Sequence, residues 1–224
     1  MKYRIRRVAC SILACAALGG ALAACAPLVV GGGMVMGSLV AVDRRTAGTQ
    51  VEDQSIEMKA ANRIRETFGD KARINVTSYN RKVLLTGEVG NLQDKETLTR
   101  LVESVDNVVA VVNEATVSPF TATLTQRSAD TFITGKVRAS LIDAKDLQAT
   151  AFKVVTENKV VYLMGIVTPR EAKRSAEIAR GVNDVSKVVR VFDVISEEEL
   201  ARYQTQPAPV TTDASPEASA LTAP

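Results

Sequence analysis

Apolar positions between Asp53 and Ile195 recur about 77 residues apart, so the central part of the chain is a repeat of itself. In the first copy Ile56, Ala60 and Ile64 fall at i, i+4 and i+8, and Ile133, Val137 and Leu141 do the same in the second. Each copy therefore opens on an amphipathic helix. Ile74 and Val76, matched by Phe152 and Val154, then alternate at period two as a half-buried strand does. A short polar turn follows, Asn80-Arg81-Lys82 in one copy and Glu157-Asn158-Lys159 in the other. Val83, Leu85, Gly87 and Val89 match Val161, Leu163, Gly165 and Val167, again at period two, which completes a hairpin. Leu98, Leu101, Val102 and Val105 form the stripe of a second helix, aligned with Ser175, Ile178, Ala179 and Val182. The turn Val-Asp-Asn-Val at 105–108, repeated as Val-Asn-Asp-Val at 182–185, leads into a valine-rich last strand.

Each copy thus reads α-β-β-α-β, covering 53–118 and 128–196. The predicted class is α+β: two tandem sandwiches, each with two helices on one face of a three-stranded mixed sheet. Right-handed crossover through the second helix makes the last strand parallel to one hairpin strand. Gly87 and Gly165 share one strand position, where a glycine weakens the strand. Their recurrence marks a close backbone approach or a bulge that a Cβ would obstruct, expected where a helix crosses the sheet. A glycine lining a ligand site is the functional alternative.

The ends carry different signals. Lys2, Arg4, Arg6 and Arg7 precede an apolar run from Val8 to Gly20, of signal-peptide rather than membrane-spanning length. Leu22-Ala23-Ala24-Cys25 then has the form of a bacterial lipobox, in which the cysteine is acylated and residues 1–24 are removed. An ordinary signal peptide cleaved after Ala24, with Cys25 incidental, is the other reading. Residues 25–52 form the lipidated N-terminal segment. Within it Ala26 to Val42 is apolar, glycine-rich and too short for a spanning helix, either a tether along the membrane or an element packed on a domain. From 203 to 224 the chain is rich in Ala, Thr, Ser and Pro, and is expected to be disordered.

Composition narrows the chemistry. The chain of 224 residues has no histidine, which removes the commonest general base and the commonest transition-metal ligand. Its cysteines are Cys10, Cys15 and Cys25; two leave with the signal, so the mature chain has no intramolecular disulfide. There is no phosphate-binding glycine loop. Tryptophan is absent and aromatics are 4% of residues, which argues against a carboxylate-pair glycosidase. No catalytic residues, metal ligands or cofactor are therefore expected, and the chain is read as a non-enzyme. The net charge of +3 includes the four cations ahead of the apolar run, so the mature part is close to neutral and its bulk charge predicts no nucleic-acid binding.

Paired α-β-β-α-β units, with an in-strand glycine and the Gly181-Val-Asn-Asp-Val185 turn, resemble BON domains. Together with the lipobox, the stretches Asp43 to Glu57 and Thr156 to Arg180 resemble the DolP family of outer-membrane lipoproteins. Ser104 stands where the second copy has Gly181, a divergence of the first. The resemblance implies a lipid on Cys25, sorting to the outer membrane, exposure to the periplasm and a part in envelope integrity. It also implies binding of anionic phospholipid through the second BON domain. At 100° per residue Arg170, Lys173, Arg174, Glu177 and Arg180 fall in one arc, opposite Ala172, Ser175, Ala176, Ile178, Ala179 and Val182. The equivalent helix of the first copy carries Asp94, Lys95, Glu96, Arg100 and Glu103 and is net negative. Arg170, Lys173, Arg174 and Arg180 are accordingly the candidate lipid-binding residues. The alternative is a protein-interaction module that meets an outer-membrane assembly machinery or other periplasmic proteins.

Overall fold

The computed structural model describes residues 43–118 and 123–205. The first repeat begins with α1 (Ala47–Phe68), whose N-cap Thr46 accepts a hydrogen bond from the Thr49 N–H at 3.1 Å. The helix thus starts inside the segment 25–52 read as lipidated tether. It buries Asp53, Ile56, Ala60, Ile64 and Phe68 along one side and stops at Gly69, whose φ of 52° ends the helical run. Strands β1 (Ala72–Tyr79) and β2 (Lys82–Val89) pair antiparallel, followed by α2 (Leu92–Glu103) and the short strands β3 (Ala110–Asn113) and β4 (Thr116–Val117), both parallel to β2. The second repeat has α3 (Leu124–Asp143), the antiparallel pair β5 (Lys153–Glu157) and β6 (Val160–Val167), α4 (Pro169–Arg180) and β7 (Lys187–Val194) parallel to β6. A further helix, α5 (Glu197–Thr205), closes the described chain and includes Tyr203, where the sequence pattern placed the start of a disordered tail. Residues 206–224 lie outside the described residues.

Both hairpins turn on two residues with positive φ, Asn80 and Arg81 (53° and 63°) and Asn158 and Lys159 (49° and 62°). That backbone matches the right-handed twist of the strands it joins. A buried aspartate on the first helix of each repeat holds the turn. Asp53 accepts the N–H groups of Asn80 (2.8 Å) and Arg81 (2.7 Å), and Asp130 accepts those of Asn158 (2.9 Å) and Lys159 (2.8 Å). These two carboxylates join helix to hairpin in both copies.

Gly87 and Gly165 also answer to one device. A Cβ on Gly87 would strike the carbonyl oxygen of Arg73, and one on Gly165 would strike that of Ala151. Arg73 and Ala151 each precede the matched pair Ile74 and Phe152, so the same carbonyl presses on the same glycine twice. The approach comes from the chain entering the hairpin rather than from a crossing helix, which corrects the sequence-based expectation. Gly87 has a φ of 115° besides, a backbone conformation closed to other residues.

The largest departure from simple sandwiches lies on the other face of each sheet. Val83, Leu85 and Val89 face α1 and α2, while Val161, Leu163 and Val167 face α3 and α4. The alternate residues Leu84, Tyr162, Met164 and Ile166 join Tyr79 and Val191 in a third buried cluster, where the two sheets meet. The order is helices, sheet, sheet, helices, and β2 and β6 are covered on both faces. Polar links cross this seam from Asn75 to Glu157 (2.9 Å), Asn80 to Asp193 (3.0 Å), Lys153 to Glu57 (2.9 Å) and Lys82 to Asp193 (2.5 Å). Tyr203 of α5 packs against the same cluster.

Candidate functional site

Helix α4 is specified at its start. Thr168 accepts from the Glu171 N–H at 3.4 Å, and Glu171 accepts from the Thr168 N–H at 3.0 Å, a reciprocal capping box with Pro169 in the first turn. Ala172, Ser175, Ala176 and Ala179 are buried, and their small side chains let the helix lie close on the sheet. Arg170, Lys173, Arg174, Glu177 and Arg180 are all exposed, on the side away from the core. The arc drawn from helical geometry therefore describes the surface of the folded protein.

The four cations differ in their surroundings. Arg174 Nε lies 3.1 Å from Asp146 Oδ2, and Arg170 Nη1 donates to the Asp146 carbonyl at 3.2 Å. Asp146 belongs to the loop after α3, and helical periodicity could not have placed it beside α4. Its pair with Arg174 is about half exposed on both sides, where such pairs contribute roughly 0–1 kcal/mol. Lys173 and Arg180 make no ion pair among the described residues.

Beside α4, helix α3 adds apolar surface that the sequence reading did not single out. Phe132 is 67% exposed and Ile142 69%, both on the side away from the buried stripe Ile133, Val137 and Leu141. The Lys136 ammonium sits 4.9 Å from the Phe132 ring centroid and also pairs with Asp184 at 2.9 Å. Of the two acidic residues of α3, Asp130 is buried under the hairpin turn and Asp143 lies at the C-terminal end. A groove of about 570 Å³ lies between α3 and α4, with Lys136, Arg174, Glu177, Ile178 and Val182 among its lining. The available signal was the presence of large apolar residues off the i, i+4 stripe.

The helix of the first repeat that corresponds to α4 lacks this run of cations. On α2, Asn91 rather than threonine caps the helix, accepting from the Asp94 N–H at 2.8 Å, and its exposed charges include Glu96 and Glu103. Cys25, the candidate lipidation residue, lies outside the described residues. Among the described residues no group of three or more Asp, Glu, His or Cys could hold a metal ion, and no helix is long and apolar enough to cross a membrane.

Burial and hydrogen bonding together shift the titration of several buried groups. For Asp53, burial pushes the carboxyl up, but hydrogen bonds from Ser78, the Arg81 N–H, Arg45 and the Asn80 N–H outweigh it and hold it below the usual range. Glu171 is likewise pushed up by burial and drawn lower on balance by Arg44 and the Thr168 N–H. Glu157 goes the other way: burial raises it, the hydrogen bond from Asn75 offsets part of the rise, and the nearby Glu88 adds to it. Burial also raises Tyr79 and Tyr162, each to about 12.

The BON domain profile matches residues 52–119 and 129–196. The chain is 40% identical over 173 residues to outer membrane lipoprotein DolP of Haemophilus influenzae, covering 76% of this chain and 89% of that protein. It is 35% identical over 156 residues to the 21 kDa hemolysin of Actinobacillus pleuropneumoniae, covering 69% and 80% respectively. A solved structure of CdsD, a structural protein of the type III secretion system of Chlamydia trachomatis, is 13% identical, with a TM-score of 0.28 over 71% of this chain and 99% of that one. The two sandwiches, their sequence pattern and the length of the relatives they align with agree: the chain belongs to the DolP family of outer-membrane lipoproteins with two BON domains.

Proposed function

We propose that this lipoprotein, held to the outer membrane through Cys25 and facing the periplasm, binds anionic phospholipid through its second BON domain and so supports envelope integrity. The observation that carries the reading is the outer face of that domain, where Arg170, Lys173, Arg174 and Arg180 of α4 stand exposed beside Phe132 and Ile142 of α3. Each cation near an anionic surface contributes roughly 1 kcal/mol, and an aromatic side chain entering the interface adds a comparable amount. Weak contacts suffice when acyl chains already keep the protein at the membrane. The role is binding rather than catalysis.

Flotation of the mature chain, residues 25–224 bearing Cys25→Ser, with anionic and neutral vesicles, tests the proposal. The expected result is binding to anionic vesicles only, weakening as salt rises. Reversal of Lys173 and Arg180 to glutamate should reduce binding at least tenfold with the fold intact, since both are exposed and make no ion pair among the described residues. Reversal of Lys95 and Arg100 on α2 should change it little. Equal binding by both double variants and the parent would turn the assignment toward a protein-interaction module.

A further inference from the structure

The two arginines ahead of α1 are shared between the two domains. Arg45 stays with the first: its guanidinium reaches Asp43 at 2.7 Å and Asp53 at 2.8 Å, and lies 4.1 Å from the Tyr79 ring centroid. Arg44 crosses to the second. Its Nη1 and Nη2 donate to the two carboxylate oxygens of Glu171 at 2.8 and 2.7 Å, and Nη1 also donates to the Ile166 carbonyl at 2.6 Å. Both side chains are almost fully buried, at 3% and 4% exposure. A planar fork on a carboxylate is the geometry that only arginine supplies.

Glu171 is also the residue that completes the capping box of α4. Arg44 is thus bound to the start of the candidate lipid-binding helix and, through Ile166, to the end of the central strand β6. The contact spans 127 residues of sequence, and Arg44 Nε is buried without an acceptor among the described residues. An arginine left in water would not bear that desolvation, so the surrounding fold must hold it in place. Among the described residues this contact has no counterpart in the other repeat. Asp94, which aligns with Glu171, is spent on its own helix cap with Asn91.

We propose that Arg44 is a positioning residue that docks the chain leading from the membrane anchor onto the second domain, at the first turn of α4. The chain coming from the acylated end is then fastened to both domains at once, Arg45 holding one and Arg44 the other. The consequence for membrane contact rests on the reading of α4 as lipid-facing: a tether fixed at the base of that helix limits the orientations in which the cationic face can meet the bilayer. The docking itself does not depend on that reading.

Amide hydrogen exchange on the full chain separates docking from local capping. Glu171→Gln keeps an oxygen to accept the Thr168 N–H but loses the charged fork. It is expected to speed exchange at Gln50 and its neighbours in the first turn of α1 by about tenfold or more, while the α4 amides change little. A capping role alone would confine any change to α4. Arg44→Lys, which leaves the sequence of the second domain unchanged, should give the same acceleration because an ammonium cannot form the fork with Glu171. Parent-like exchange over residues 44–50 in both variants would overturn the proposal. Vesicle flotation of the Arg44→Lys chain bearing Cys25→Ser is expected to match its parent, since the α4 cations remain. A parent that never binds vesicles would sink the lipid reading and leave the exchange result standing.

Discussion

Helices α2 and α4 hold the same place in the two repeats and present opposite surfaces. Both lie on their sheet through small or aliphatic residues, Leu98 and Val102 in one and Ala172, Ala176 and Ala179 in the other. Outward, α2 mixes Asp94, Glu96 and Glu103 with two cations, whereas α4 sets four cations against Glu177. By contrast the aspartate under each hairpin turn and the glycine under each carbonyl are the same in both. The scaffold was kept where a change would cost folding free energy, and it diverged where side chains meet solvent. Function in this protein is therefore to be sought where the repeats disagree.

The comparison breaks first at the glycines. Gly87→Ala should cost about 4 kcal/mol, combining collision with the Arg73 carbonyl and a forbidden backbone conformation. Gly165→Ala, which has the collision without the positive φ, should cost about 3 kcal/mol or less. Denaturant unfolding of the full chain measures both, and equal costs would mean that the strained φ at Gly87 relaxes. Next come the aspartates. Asp53 accepts from Ser78, Arg45, Asn80 and Arg81, and Asp130 from two backbone N–H groups, so Asp53→Ala should lose about 3 kcal/mol and Asp130→Ala about half as much.

Acid response gives a third contrast. The carboxyls of Asp53 and Glu171 are lowered in the folded state, so the stability they contribute is present at neutral pH and is lost as pH falls through their depressed values. Glu157 is raised, so its contribution is present below the ordinary carboxylate range and is lost as pH rises through its folded value. At neutral pH it is a cost. Glu157→Gln retains an acceptor for Asn75 and should raise the melting midpoint at pH 7, with the gain shrinking toward pH 4. A midpoint that falls at pH 7 would mean that the charged form is stabilised within the seam. The smallest effect is expected at Asp146. Asp146→Asn should change stability by less than about 0.5 kcal/mol and, by freeing Arg174, strengthen anionic-vesicle binding about twofold.

Much of this fold can be read in the chain because its constraints are local and occur twice. The stripes Ile56, Ala60, Ile64 and Ile133, Val137, Leu141 mark helices whose burial the structure repeats, and the glycines align because one carbonyl presses on each. The seam is a tertiary fact. Leu84, Tyr162, Met164 and Ile166 sit at alternate positions that a one-sided sheet would give to solvent. The uninterrupted apolar run from Val160 to Val167 is the trace of a strand covered on both faces. The cations of α4 were legible because they share one helix. Asp146, Phe132 and Ile142 come from neighbouring elements, and Arg44 finds Glu171 only after the whole second domain has formed.

The stacked sheets have a meaning for descent as well as for stability. A duplicated domain can at first be deleted or exchanged without harm to its twin. Once Tyr79 and Leu84 of one copy and Tyr162, Met164 and Ile166 of the other shelter each other, neither copy can be shed without bringing a greasy face to water. The two halves have become hereditary dependants. The outer helices, free of that bond, are where such a lineage can still try something new.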